Sequence, residues 1–539
     1  MGFHSYLTLA ALTAACLLSG RTLIHYFQLE SYQFPGYFRT LRRRFPKALI
    51  PGALLNIVWV GGAWALVMLI PEGKDWIPAA GLSALLIAAG LAIRGGTREK
   101  QEKKPLRMTA RVKRLYAVCA VVFMAILCVL VSVAGNPGEF RIRSALGLLA
   151  FFPALLPLWI ALGGLLAWPI EKGISEAYFR DAQKILKSRP DLIRIGITGS
   201  WGKTSVKFIL GALLEEKYHT LVTPASFNTP MGVTKVIRTQ LEPGHRVFVA
   251  EMGARHVGDI REMCRLVHPQ MGVLTSVGPQ HLDTFHTLER VKRTKYELIE
   301  ALPEDGTAFF SDDGGICAEL YAKTKGHKRL SGIGREGHDV WAEDVRTTRE
   351  GSRFILRTGE SSIPCETRLL GELNIRNILL AASVCLELGM SGQQIANGIR
   401  KLRPVEHRLQ LIENPGGLNV IDDAFNSNIR GARQACRVLK EFPGRRIIVT
   451  PGMVELGGQE EALNRELGRE MAECCDTALL IGLKRSRPIR EGMVEAGFRE
   501  DEIHPLASLT EAQGWLREHA KAGDTVLFEN DLPDNYTEE

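Results

Sequence analysis

No CxxC pair occurs among the ten cysteines of this 539-residue chain, and only Cys474 and Cys475 are adjacent. That scatter writes neither a zinc ribbon nor a disulfide framework, and it leaves reduced, mostly buried thiols as the expectation. A basic stretch ahead of the first apolar run is also missing. Only His4 precedes that run, so a retained helix is expected rather than a cleaved signal peptide. The apolar runs carry no ionisable residue at their centres and no LSGGQ segment is present, which argues against a transport ATPase.

What is there divides in two. Before about Ser175 long apolar runs dominate, while beyond it charged residues and short apolar segments alternate as in a soluble α/β protein, so an averaged hydropathy near zero describes neither part. Five apolar stretches run from Ser5 to Gly20, Pro51 to Ile70, Trp76 to Ile93, Leu115 to Ala134 and Ala145 to Trp168. Four reach the roughly 17 to 25 residues that a helix needs to cross a bilayer, and the first is marginal. Arg39, Arg42, Arg43, Arg44 and Lys47 lie in one connection and nine Lys or Arg residues between Arg94 and Arg114 in another. The connections around Lys74 and around Arg141 and Arg143 are poor in base. The positive-inside rule then predicts five spans, an N-terminus outside, and everything after Pro169 in the cytoplasm of a cell-membrane protein. The net charge of +8 is explained by basic loops near membrane lipid, and no nucleic-acid partner is needed.

An amphipathic helix is expected over Ser175 to Lys187, followed by the strongest chemical signal. Arg194 to Ile197 reads as a strand, Thr198-Gly199-Ser200-Trp201-Gly202-Lys203-Thr204-Ser205 as a glycine-containing turn, and Val206 to Leu214 as a helix. Gly199 and Gly202 let backbone N–H groups of the turn, from Ser200 to Ser205, close on a phosphate at a helix N-terminus. Lys203 supplies a point charge for β- and γ-phosphates, and the Thr204 hydroxyl can ligate Mg²⁺. The loop departs from GxxxxGK[ST], because Ile197 stands where the first glycine would be. Apolar runs at His219 to Pro224, Val247 to Met252, Met271 to Val277 and Thr307 to Ser311 alternate with helical patterns, the signature of a mostly parallel covered sheet. Functional residues are then expected at strand C-termini, where Asn228, Glu251 and His281 fall.

The order TGSWGKTS, SFNTPMGV, VAEMGARHVGDI, LTSVGPQHLDTF and KYELIE resembles the central domain of the Mur ligases, and within them the MurF branch. The resemblance continues through Ser311-Asp312-Asp313, Leu373-Asn374-Ile375-Arg376-Asn377, Glu406-His407-Arg408 and Ile421 to Asn428, and covers roughly Ile193 to Gly482. It implies that Lys203 and Thr204 bind ATP phosphate and magnesium, that Glu251 and His281 hold magnesium, and that Lys295 is a carbamylation site. It further implies that Asn374 and Asn377 contact adenine, that Arg408 and Asp423 contact ATP from a C-terminal domain, and that Asn228, with Thr229 beside it, faces the substrate. Lys203, Lys295 and His281 form the implied catalytic set, ATP and Mg²⁺ the cofactors, and an amino acid or dipeptide plus a muramyl-peptide-like acceptor the substrates.

The expected fold is therefore multi-domain. An α-helical membrane region at 1–175 precedes an α/β P-loop domain at 176–403 and an α/β, Rossmann-like domain at 404–539, with strands at Leu418 to Asp422, Arg446 to Thr450, Thr477 to Gly482 and Thr525 to Glu529 and a helix at Glu460 to Glu473. Departures accompany the resemblance. Trp201 replaces an asparagine, Leu373 a histidine and Gly452 an aspartate in Gly452-Met453-Val454-Glu455-Leu456-Gly457, and Asn464 stands where a histidine is common. An acidic segment, Phe528 to Tyr536, stands where a KGSR-type one is usual. The apolar stretches occupy the place of the family's UDP-binding domain, which points to a lipid-linked or membrane-presented acceptor, or to simple anchoring. A catalytically silent scaffold and a poly-γ-glutamate-synthase-like ligase remain alternatives.

Overall fold

A computed structural model describes residues 3–69, 76–97, 105–134, 149–225, 227–335, 337–348, 350–359, 361–413, 416–424, 429–454 and 456–531. The connections around Lys74 and around Arg141 and Arg143, the start of the fifth apolar stretch, Ser226, Phe425 to Asn428, Glu455 and Pro533 to Tyr536 lie outside them. The chain forms two compact units, Met1–Glu176 and Ala177–Glu539.

The first unit is helical: Phe3–Ser19, Arg21–Leu29, Phe34–Arg43, Ile50–Leu69, Trp76–Gly96, Ala110–Ala134 and the helix that begins at Leu156. Leu12, Leu23, Leu86, Leu127 and Ile160 are fully buried among them. Small residues set the helix spacing, since a Cβ on Gly90 would stand 2.9 Å from the Ala15 Cα and one on Gly163 would collide with the Cys119 sulfur. Among the described residues three helices are long and apolar enough to cross a membrane, Ala79–Gly96, Ala110–Val133 and Pro153–Lys187. A fourth is reached if Tyr6–Ser19 and Arg21–Leu29, bent by 47°, count as one span. The second expected stretch supplies only a shorter apolar helix, Ile50–Ala65, by the same measure. Among the described residues three or four candidate spans thus stand against the five expected, the helix Ile50–Leu69, taken only to Ala65, being left out of that number. The amphipathic helix expected from Ser175 is not separate either, because Leu156–Lys187 is continuous through Pro169. Proline in a helix interior usually breaks or kinks it, but the residues on both sides keep the helical pattern.

The second unit holds two sheets. The larger has nine strands in the order β2-β3-β1-β4-β5-β6-β7-β8-β9, with β1 Ile193–Thr198, β2 Thr220–Val222, β3 Val247–Glu251, β4 Met271–Leu274, β5 Thr307–Ser311, β6 His327–Ile333, β7 Val340–Thr348, β8 Gly351–Thr358 and β9 Ser361–Thr367. Pairing is parallel from β2 through β7. It is antiparallel through β8 and β9, an extension the sequence pattern did not suggest. Alternation along the strands divides the core. Ile195, Ile197, Val247, Val249 and Phe309 pack on one face, and Phe248, Ala250, Leu274, Ala308 and Phe310 on the other. Helices cover both faces, so the strands read as nearly unbroken apolar runs.

The second sheet has the order β10-β11-β15-β12-β13-β14, with β10 Gln410–Glu413, β11 Asn419–Asp423, β12 Arg446–Thr450, β13 Thr477–Ile481, β14 Ile503–Leu506 and β15 Thr525–Glu529. Only β10 runs antiparallel to its neighbour. Strand ends differ from the expected ones by a few residues where a loop takes over: β4 stops at Leu274, and Thr275 and Ser276 turn their hydroxyls toward the loop after β1. That places the opening of the first sheet between β1 and β4, where the chain order reverses, the usual position of a ligand crevice in such sheets.

Candidate active site

The turn after β1 owes its shape to two glycines. Gly199 has φ +154° and its Cβ position is filled by the Thr275 hydroxyl, while Gly202 has φ +80° and opens the helix Lys203–Leu214. The helix thus begins at Lys203, one turn earlier than the apolar pattern suggested. The turn is tied to the loop after β4. Ser200 N–H donates to the Ser276 carbonyl at 2.7 Å, the Ser200 hydroxyl to the Gly278 carbonyl at 2.9 Å, and the Thr275 and Ser276 hydroxyls to the Trp201 carbonyl at 2.5 and 3.0 Å. The Trp201 ring fills the space a side chain at Gly278 would need.

Lys203 folds back on this turn, its ammonium donating to the Gly199 and Ser200 carbonyls at 2.8 and 3.1 Å. Burial lowers its pKa to about 8, with Glu251 opposing the shift and Arg408 adding to it. Glu251, at the end of β3 and 1% exposed, gathers the polar side chains of this wall. It accepts from the Thr204 hydroxyl at 3.1 and 3.2 Å, from the Asn228 amide at 3.1 Å and from the Lys207 ammonium at 3.0 Å. Thr229 serves the fold, since its hydroxyl accepts from Gly232 N–H at 3.2 Å and caps the helix Pro230–Gln240.

Lys295 lies in the helix Leu288–Glu300 and is 2% exposed. Burial pushes its amine well below the usual lysine range, the Lys203 charge pushes the same way, and Asp259 and Glu297 oppose. Two lysines far apart in sequence are thus brought within electrostatic reach. Glu297, one helical step on, accepts from Gly258 and Arg261 N–H at 2.9 and 3.0 Å and so holds the start of the helix Asp259–Val267. His281 has φ +52° at the start of the short helix Leu282–Phe285, where its carbonyl accepts from Thr284 and Phe285 N–H, both at 3.0 Å.

A cavity of about 460 Å³ joins the two sheets of this unit. Gly202 and Ser205 line it from the phosphate turn, Asn374 and Asn377 from the helix Glu372–Glu387, and Arg408 and Asp423 from the second sheet. Arg408 is deeply enclosed: burial lowers its pKa, and Asp423, Glu251 and Glu529 act against that shift. Burial raises Asp423 to about 6 against the pull of Arg408 and a hydrogen bond from Leu409 N–H at 3.1 Å. Glu529 ends β15 at 2% exposure and lines the same cavity. The acidic segment is therefore structured through its start, with the Asn530 amide donating to the Gly452 carbonyl at 2.6 Å. The substituted residues Trp201 and Leu373 line the cavity too. Gly452 and Asn464 instead form a buried knot, in which Asn464 accepts from Met453 N–H at 2.8 Å and a Cβ on Gly452 would stand 2.8 Å from the Asn464 oxygen.

Three participants escaped the sequence reading. Lys207 is fully buried and paired with Glu251, and the available signal was a lysine on the apolar face of a helix, four residues after Lys203. Arg430 donates to the Asp313 carbonyl at 2.8 Å and holds its guanidinium 5.9 Å above the Trp201 ring. Glu529 ends the last strand. Arg430 had no local signal, because it acts across the gap between sheets, whereas Glu529 stood at a strand C-terminus within the acidic segment.

Among the described residues no three His, Cys, Asp or Glu side chains gather as a metal centre. Thr204 and Glu251 nevertheless present hard oxygen donors side by side beneath the phosphate turn, which fits magnesium shared with a nucleotide phosphate. The positive-φ glycines, the helix N-terminus and the enclosed Lys203 and Arg408 fit that phosphate.

Residues 197–385 match the family model of the Mur ligase middle domain, and residues 407–529 that of the Mur ligase glutamate ligase domain. The UDP-N-acetylmuramoyl-tripeptide--D-alanyl-D-alanine ligase of Escherichia coli K12 is 32% identical over 298 residues, 55% of this chain and 65% of that protein. The ligase of the same description from Mycobacterium leprae is 30% identical over 369 residues, 62% of this chain and 70% of its own length. A crystal structure of MurF from Thermotoga maritima in complex with ADP superposes with a TM-score of 0.60 at 25% identity, covering 68% of this chain and 82% of that one. The chain thus spans just under two thirds of the E. coli relative, and the family-model match begins at residue 197.

Proposed function

The chain belongs to the Mur ligase family, and on that premise we propose that it is a membrane-anchored, ATP-dependent amide-bond ligase of the MurF kind. It joins an amino acid or dipeptide amine to the carboxylate of a muramyl-peptide-like acceptor in cell-wall precursor synthesis. The observation that carries this reading is the shared cavity, in which nucleotide candidates from the phosphate turn, the helix Glu372–Glu387 and the second sheet converge. In this reading the chain has three parts, at 1–175, 176–403 and 404–539.

The chemistry follows from the charges. A carboxylate is a poor electrophile, so its oxygen first attacks the γ-phosphorus of ATP, the β–γ bridge breaks, and ADP leaves. The amine then attacks the acyl carbon, phosphate departs with the former carboxylate oxygen, and the amine proton passes to a base or water. Both steps ask the protein for positioning and for neutralisation of phosphate charge. Lys203, freed from its own loop carbonyls, and Arg408, from the opposite wall, approach that charge, and the turn's N–H groups hold the phosphates. Thr204 and Glu251 would hold magnesium, His281 completing the set by resemblance, and the ion neutralises and orients phosphate oxygens when bound. Lys295, buried with its amine held toward the neutral form, has the chemistry that carbamylation by CO₂ requires. Asn374 and Asn377 face the base, Asp423 orients Arg408, and Asn228 positions Glu251 beside the acceptor.

The apolar unit supports anchoring, with an N-terminus outside and the ligase part in the cytoplasm, where ATP is. Five spans are reached if the bent pair and the helix Ile50–Leu69 each cross. Because the family match begins only at residue 197, an acceptor that is lipid-linked, or presented at the membrane face, is the version we favour.

The test is ATP turnover by the purified full chain in detergent with Mg²⁺, across UDP-linked and lipid-linked muramyl peptides paired with D-Ala-D-Ala or single amino acids. Phosphate release with a new amide on a lipid-linked acceptor is expected, and Lys203→Ala abolishes it. Full turnover on the UDP-linked acceptor alone would remove the lipid-linked version. ATP binding without turnover on any pair would return the chain to a silent scaffold.

A further inference from the structure

One end of the helical unit is cationic and aromatic together. The helix Phe34–Arg43 is pinned on one side only: the buried Tyr37 donates its hydroxyl to the Pro157 carbonyl at 3.1 Å, and Thr40 donates to Glu30 at 2.6 Å. Its other side and the residues after it are open, with Phe38 45%, Phe45 66% and Leu49 37% exposed around Arg42 and Lys47. Leu41, Arg42, Phe45 and Leu49 border a shallow groove of about 340 Å³.

The second basic connection comes to the same end. The Gln28 side chain donates to the Arg107 carbonyl at 2.9 Å and accepts from Arg107 N–H at 3.1 Å, and the Arg111 guanidinium lies 3.9 Å above the Tyr32 ring. Met108, beside Arg107, is 55% exposed. Two stretches separated by apolar helices therefore build one face on which exposed apolar side chains alternate with bases.

We propose that this face, residues 34–49 with 105–111, lies in the headgroup layer of an anionic phospholipid leaflet, bases on lipid phosphates and Phe38, Phe45, Leu49 and Met108 among the upper acyl carbons. The inference rests on the membrane-anchored reading above and adds the lipid class and the residues that recognise it. Charge complementarity selects the occupant, because a neutral leaflet would take the apolar side chains but offer no anion to Arg42, Lys47 and Arg107. The segment's position agrees, since it links the end of Arg21–Leu29 to the start of Ile50–Leu69 and so must return along one membrane face.

The test places the full chain in nanodiscs of phosphatidylcholine alone, or with about one third phosphatidylglycerol, and follows backbone hydrogen exchange over residues 34–49. Exchange about tenfold slower in the anionic discs is expected from several bases each adding to the attraction. That protection should vanish in Arg42→Gln/Lys47→Gln/Arg107→Gln and at about 0.5 M salt, where the screening length shrinks to a few ångströms. Equal exchange in both disc types, with the chain incorporated, would overturn the lipid assignment and leave anchoring intact. Failure of the chain to enter either disc would overturn the anchored reading itself.

Discussion

The two sides of the candidate site, one on each sheet, are built differently. On the first sheet a single carboxylate, Glu251, is buried with Lys207 at 3.0 Å and receives Thr204 and Asn228, so its charge is matched inside the wall. On the second-sheet side Arg408 and Asp423 are half-buried at the cavity surface beside the buried Glu529, and desolvation lowers the Arg408 pKa and raises that of Asp423. The first wall is a finished scaffold that presents a turn. The second holds charges whose balance changes when an anion arrives, as expected of a part that closes on nucleotide.

The hardest test of that contrast is Lys207→Met. It leaves the Glu251 charge buried without its cation, and a loss of about 3–5 kcal/mol in unfolding free energy is expected, read by thermal or denaturant unfolding of the detergent-solubilised chain. Adding Glu251→Gln to it should restore much of that stability but no activity; a single variant as stable as the parent would dissolve the difference between the walls. Next in size is Lys203→Ala, which should lower ATP turnover roughly 10²–10³-fold while leaving the unfolding midpoint nearly unchanged, since the lysine bonds only to its own loop.

Asp423 gives the second wall its own signature in pH. Its carboxyl is raised in the folded chain to about 6 from an ordinary value of 3.8, so the folded state binds the proton first as pH falls. This contribution therefore favours folding progressively from about pH 6 down to about pH 4, and is worth up to about 3 kcal/mol. Unfolding measured across that window should lose this slope in Asp423→Asn; an unchanged slope would assign it to another group. The smallest expected effect is at the bridge between walls. Arg430→Ala removes the bond to the Asp313 carbonyl and the contact over Trp201, and should raise the KM for ATP about fivefold to tenfold with little change in kcat.

Much of this was legible in the chain because it is local. The glycine-flanked turn, the strand that ends at Glu251 and the strands at 307–311, 446–450 and 525–529 follow from short apolar runs and turn chemistry within a few residues. The helix boundary at Lys203 and the short β4 were less legible. In both, hydrogen bonds between the loops after β1 and β4 decide where regular structure stops, and those partners are some 75 residues apart. The first apolar stretch is expected to end at Gly20, and the helix does break there; less legible was the helix Arg21–Leu29 that continues beyond it at 47°, where a Cβ on Gly20 would stand 2.9 Å from the Ile160 side chain.

By itself the sequence determined the periodicities, the phosphate turn, the apolar first third and the order of motifs, since each depends on residues close together in the chain. Only the tertiary structure decided that Lys207 neutralises Glu251, that Lys203 and Lys295 feel each other's charge, and that Arg408, Asp423 and Glu529 share one cavity with the phosphate turn. Burial and Coulomb interaction act through space, and the chain order carries no record of which distant charges the folded sheets will enclose together.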